Sequence, residues 1–185
     1  MSTTRRTPKF ITWTVVAALL IILVVVKMFF IGRYRIPQNG MYPILPAGSG
    51  LFTYKRAYAN PSQVRRGDII VFIREEDGQR YNYVWRVIGL PGDTIVTAGE
   101  SLTINGQPVA RERVREEGSV VIFRERAGET VFEVALSQSP EHQPPDVSVK
   151  VPPDHFFVMG DNRFDARDSR YFGPVAFSAI VGRKL

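Results

Sequence analysis

Tyr81-Asn82-Tyr83-Val84-Trp85-Arg86-Val87-Ile88-Gly89-Leu90-Pro91-Gly92-Asp93-Thr94-Ile95-Val96-Thr97 joins two runs rich in aromatic and β-branched residues through a single proline-glycine turn. Aromatic and β-branched side chains suit a pleated, half-buried surface, and Pro91-Gly92 supplies the fixed φ and the positive φ of a tight reversal. The stretch therefore predicts a strand over 81–90, a turn, and a strand over 94–97. The same pattern recurs outward from it. Short strands are expected over 68–73, 102–104, 147–151, 156–159 and 179–182, with Asn105-Gly106 as a further turn. Runs over 120–124 and 130–135 flank Ala127-Gly128 as a hairpin. Beyond the N-terminal apolar stretch no amphipathic helix as long as a dozen residues is written into the sequence, and there are no internal repeats. The fold class is all-β with mostly antiparallel pairing. The Ser/Gln/Pro-rich segment 137–145 reads as a solvated surface loop.

Residues 10–31 are apolar except for Lys27 near the far end, long enough to cross a bilayer core as a helix. Lys27 can snorkel to the interface, and Trp13, Phe29, Phe30 and Tyr34 suit interfacial anchoring. A cleaved signal peptide is the competing reading. The run exceeds the usual apolar region of such peptides and no small-x-small cleavage site follows it, which favours an anchor. Arg5-Arg6 alone is weak support for a twin-arginine signal.

The 185 residues leave room for one domain of about 150 residues behind such an anchor. The formal charge of +6 sits entirely in the first 36 residues, on Arg5, Arg6, Lys9, Lys27, Arg33 and Arg35; beyond them the chain is balanced. A nucleic-acid binder carries its basic patch on the folded domain, so nucleic acid is not an expected partner. The absence of cysteine excludes a disulfide framework, a thiolate zinc site and a thiol nucleophile. His142 falls in the surface loop and His155 precedes a strand, neither beside a serine motif, and no metal or cofactor is implied.

Four segments, in order, resemble bacterial type I signal peptidases: Ile36-Pro37-Gln38-Asn39-Gly40-Met41-Tyr42-Pro43-Ile44-Leu45, Arg66-Gly67-Asp68-Ile69-Ile70-Val71-Phe72, Val84 through Asp93, and Gly160-Asp161-Asn162-Arg163 continuing to Asp168-Ser169-Arg170-Tyr171-Phe172-Gly173-Pro174-Val175. The resemblance implies a coiled antiparallel β-sheet domain behind one N-terminal transmembrane helix. It implies a cytoplasmic tail over 1–9, a signal-anchor helix over 10–31 and an extracytoplasmic domain over 32–185. In this family a serine attacks the peptide carbonyl, and a lysine kept neutral by desolvation takes its proton.

Aligned on Pro37, Met41 and Pro43, the nucleophile position is Gly40; aligned on Arg86 and Gly89, the base position is Trp85. Glycine has no side chain, and an indole N–H donates but does not accept a proton. The serine of the oxyanion hole corresponds to Gln38, and the serine that orients the lysine to Ala166. The resemblance thus implies a non-catalytic member of the family. Substrate-facing positions are Gln38, Asn39, Gly40, Met41 and Trp85, with the indole filling part of the groove. Asp161, Arg163, Ala166, Asp168 and Arg170 belong to the loop that buttresses the site, where alternating charges can pair. The apolar stretch Met41 to Leu45 is expected in the core or against lipid headgroups. Implied partners are the membrane and exported preproteins or pilin-like subunits, or a catalytic paralogue. Two other readings stay open: an active peptidase with a displaced dyad at Ser49 and Lys55, and an inert structural subunit.

Overall fold

The computed structural model describes residues 9–185; residues 1–8, with Arg5 and Arg6 of the expected tail, lie outside the described residues. Helix α1 (Lys9–Phe30) opens the described chain. Strands β1 (Ile31–Arg35), β2 (Gly50–Tyr54), β3 (Ile69–Glu76), β4 (Gln79–Gly89), β5 (Thr94–Ala98), β6 (Ser101–Ile104) and β7 (Gln107–Pro108) follow. Then come β8 (Ala110–Glu117), β9 (Val120–Ala127), β10 (Thr130–Ser137), β11 (Val147–Lys150), β12 (His155–Met159), the single-turn helix α2 (Ser169–Phe172), β13 (Val175–Ala176) and β14 (Ile180–Lys184). They form a seven-stranded sheet in the order β1-β2-β14-β3-β4-β12-β13, a three-stranded sheet β10-β9-β8 and a four-stranded sheet β11-β5-β6-β7. Strand neighbours pair antiparallel throughout, as the all-β reading expects.

Two cores share β4 and β12, because successive side chains of a strand point to opposite faces. Trp85 and Val87 of β4, with Phe156 and Val158 of β12, enter a core with Ile70, Phe72 and Leu51. Ile88, Phe157 and Met159 point the other way, into a core with Ile95, Val134 and Leu136. A strand buried on both faces must read as a continuous apolar run, which is why 156–159 has no polar alternation. Each of these phenylalanines contributes roughly 1.5–3 kcal/mol of burial. The turn after β4 is held by one side chain. Gly92 takes φ +88°, while the Asp93 carboxylate accepts from Leu90 N at 2.6 Å and Asn105 Nδ2 at 2.7 Å and pairs with Arg66 at 3.0 Å.

The structure departs from the sequence reading in four places. The apolar helix ends at Phe30, one residue before the expected bound, and the chain passes directly into β1, whose Tyr34 is half-buried against the first core. Met41 and Leu45 are core residues at 2% and 5% exposure, whereas Ile44 between them is 47% exposed. Strand β8, Ala-Arg-Glu-Arg-Val-Arg-Glu-Glu in sequence, was not expected, because no apolar face marks it. It is a sheet edge, and its charges pair across strands, Arg111 with the buried Glu125 and Arg115 with Glu133 at the surface. Finally, part of the 160–173 segment, expected as loop, coils into α2 under an Asp168 cap that accepts from Arg170 N.

Candidate functional site

Two open strand edges face each other across a cleft of about 590 Å³. Strand β1 ends the large sheet, and β12 pairs with β4 only from Arg86 to Gly89, which leaves β4 before Arg86 without a strand neighbour on that side among the described residues. The cleft lies between residues 34–41 and 76–85, with Tyr34, Pro37, Tyr81 and Tyr83 among its walls. Gln38 and Asn39 are exposed at its rim, where Asn39 Oδ1 accepts from Ala47 N at 2.8 Å and fixes the loop.

At the inner end the 36–45 loop, β4 and the 160–173 segment meet. A Cβ built on Gly40 would stand 2.5 Å from Trp85 Cη2 and 2.7 Å from Trp85 Cζ3, so the indole occupies the space beside the glycine. A Cβ on Gly160 would meet Trp85 Cζ3 at 3.0 Å, Gly40 O at 2.6 Å and the Ala166 methyl. Asn162 N donates to Gly40 O at 3.1 Å and ties the two loops together. Trp85 is 8% exposed, and its indole N–H has no partner among the described residues. Its ring centroid lies 6.3 Å from that of Tyr83, which in turn lies 6.0 Å from Phe172. These apolar contacts bring Gly40, Trp85 and Ala166 together, although 45 residues separate Gly40 from Trp85 and 81 separate Trp85 from Ala166 along the chain.

Behind this point stands a frame of buried charges. Arg86, next to Trp85 but on the opposite face of β4, grips Asp161 with two hydrogen bonds of 2.7 and 2.6 Å and donates to Gly67 O at 2.9 Å. Asp168 accepts from Gly160 N at 2.9 Å and from Arg170 at 2.9 and 2.7 Å, and Arg170 also donates to Arg163 O at 2.6 Å. Arg163 forms a two-pronged pair with Glu125 of β9, to which Arg111 of β8 also donates. The alternating charges of 161–170 therefore pair within the segment only once, at Asp168 and Arg170; Asp161 and Arg163 find partners on other strands. Burial pushes the Glu125 carboxyl up, but the Arg163 and Arg111 guanidiniums outweigh it and hold it below the usual carboxylate range.

A family model described as signal peptidase, peptidase S26, matches residues 9–185. The chain belongs to this family. A signal peptidase I of Pseudomonas aeruginosa is 35% identical over 83% of this chain, which spans 59% of that protein's length. One from Bacillus caldolyticus is 34% identical over 97% of this chain and 87% of its own. A crystal structure of a signal peptidase I from Enterococcus faecalis V583 is 30% identical, covering 65% of this chain and 95% of that one, with a TM-score of 0.40.

In this member of the signal peptidase family, Ser49 and Lys55 stand apart at the two ends of β2. Ser49 Oγ donates to Pro46 O at 2.6 Å, and Lys55 Nζ to Met28 O at 2.9 Å. His142 is exposed on its loop, and His155 Nδ1 lies 2.8 Å from Pro153 O. Glu125, Arg111 and, beyond its use as an alignment point, Arg86 are the frame residues that sequence reading did not single out. For two of them a trace was present: Glu125 is a lone acid sharing a strand face with Phe123 and Ala127, and Arg86 interrupts an otherwise apolar run.

Proposed function

We propose that this signal peptidase I family member is a membrane-anchored protein that grips an extended segment of exported preproteins and does not cleave it. The observation that carries the reading is the Trp85 ring lodged against Gly40. A serine there would need its Cβ within 2.5 Å of the indole, and no lysine stands in its place. Both groups of the family's dyad are then missing, and in a serine peptidase such a loss lowers turnover by about 10⁶. The relatives are named as ordinary signal peptidases, which favours cleavage. Against a displaced dyad, Ser49 and Lys55 are each engaged with backbone oxygens elsewhere.

The binding half of the proposal rests on the two open edges. Extended peptides add to such edges through main-chain hydrogen bonds, a mode that requires neither nucleophile nor base. Helix α1 supports the anchoring: residues Trp13–Phe30 have a mean hydropathy of 2.6 and none is buried. On this reading the β domain lies on the extracytoplasmic side.

A signal peptide carrying a photoreactive side chain tests the site. With the full chain, crosslinks are expected in residues 34–41 and 76–85. Crosslinks confined to other surfaces, or none at saturating peptide, would leave the inert-subunit reading in its place.

A further inference from the structure

Asp68 is the first acidic residue of the chain; the charged side chains before it are all lysine or arginine. The fold gathers several of them where α1 meets the β domain. No linker separates the two, since Phe30 ends α1 and Ile31 begins β1. The end of β2 is fastened to the helix end: Lys55 N donates to Phe30 O at 2.8 Å, Lys55 Nζ donates to Met28 O at 2.9 Å, and the Arg56 guanidinium lies 5.6 Å from the Phe30 ring centroid. A 22-residue helix is about 33 Å long, close to the thickness of a bilayer core. With α1 across a membrane, this corner of the domain sits at the headgroup layer.

A crevice of about 510 Å³ opens there between α1, β2 and β14. Ile31, Leu51 and Phe52 line it; Leu51 is a buried floor, and Phe52 is 54% exposed at the mouth. Lys27 comes from the last turn of α1 and Lys184 from β14, and the Arg33 guanidinium stands 5.9 Å from the Phe52 ring centroid. Among the described residues no Asp or Glu side chain lines the crevice. Lys27 and Arg33 have no ion pair among the described residues, and Lys184 Nζ makes only a long 3.4 Å contact with the Leu185 backbone oxygen. The β8–β10 sheet is the contrast: Arg111, Arg113, Arg115 and Arg124 each lie within 4 Å of a carboxylate.

We propose that this crevice binds an anionic phospholipid of the bilayer that α1 crosses. The inference rests on α1 being a membrane anchor and is independent of what the cleft binds. The Lys27 and Lys184 ammoniums contact the lipid phosphate, and Arg33 closes the mouth. Ile31, Leu51 and Phe52 cover the first methylenes of an acyl chain. Lysine suits the place because its apolar stem lies along hydrocarbon while its charge reaches the headgroup. A net negative headgroup is preferred over a zwitterionic one, because the charged side chains at the crevice, Lys27, Arg33 and Lys184, are all cationic.

Native mass spectrometry of the detergent-solubilised full chain tests this with phosphatidylglycerol and phosphatidylcholine of identical acyl chains. Preferential retention of phosphatidylglycerol is expected, falling about five-fold for each of Lys27→Gln and Lys184→Gln. Lys150→Gln, on an exposed strand far along the chain, leaves retention unchanged. Lys27→Arg with Lys184→Arg keeps the charges and keeps the preference, which separates lost charge from lost folding. Equal retention of the two lipids overturns the proposal. So does undiminished phosphatidylglycerol retention by the double glutamine variant. Displacement of the lipid by an equal concentration of inorganic phosphate would assign a plain anion site and overturn it as well.

Discussion

The inner end of the cleft and the charged frame behind it touch, yet they are built from opposite materials. At the cleft end, two glycines, a methyl group and an indole meet with no room for another carbon. One face of β4 away, Arg86, Asp161, Arg163, Glu125, Asp168 and Arg170 are buried and paired. Charges taken out of water are tolerable only when each finds its partner, so such a frame is lost as a whole or kept as a whole. The cleft end carries no comparable penalty. A serine or a lysine can be exchanged for packing there without leaving a buried charge behind. On our reading this is why the frame persists where the chemistry has gone.

The frame side of the comparison should give the largest effect. Glu125 is 0% exposed and meets two guanidiniums, so Glu125→Gln leaves them facing a neutral amide. A loss of about 3–5 kcal/mol is expected in urea unfolding of the micelle-solubilised chain. The acid limb should change too. Because the folded-state pKa of Glu125 is lowered, its contribution is complete above the unfolded carboxylate value of about 4.3 and fades as pH falls through the folded one. The parent should lose stability in that window faster than the glutamine variant. Parallel pH curves would mean that the pair does not hold its charges as described.

The cleft side should give a smaller, conditional effect. Gly40→Ala forces a methyl against the indole and should cost about 1–3 kcal/mol in the parent. In a Trp85→Ala background that clash is gone, so the same substitution should cost far less. A coupling of about 0.5–3 kcal/mol in the double-mutant cycle is expected. Strict additivity would show that Trp85 does not occupy the space beside Gly40.

What could be read in advance divides along the same line. Strand β12 was legible because burial of both faces writes itself into composition, and β5 because its β-branched residues follow a proline-glycine turn. Strand β8 was not, since it carries no apolar face and is held by its backbone ladder to β9, a partner the local sequence does not name. Strand β1 was hidden because its start continues the apolar run of α1. The positions Gly40, Trp85 and Ala166 could be named from motif alignment, but their mutual contact is a tertiary fact. The partners of Asp161 and Arg163 were out of reach for the same reason: Glu125 lies 38 residues before Arg163. Alternating charge in a loop suggests pairing but does not say with whom.

The most direct test sets the parent beside a variant carrying Gly40→Ser, Trp85→Lys, Gln38→Ser and Ala166→Ser. Both full chains, free of host peptidase, are incubated with an exported preprotein, and binding and cleavage are followed together. The account predicts that the parent binds the preprotein and leaves it intact. The quadruple variant should cleave it, and faster than Gly40→Ser with Trp85→Lys alone, because the oxyanion donor and the lysine's orienting hydroxyl are then present. Cleavage by the parent in proportion to its concentration would contradict the account. So would a folded quadruple variant that neither binds nor cleaves.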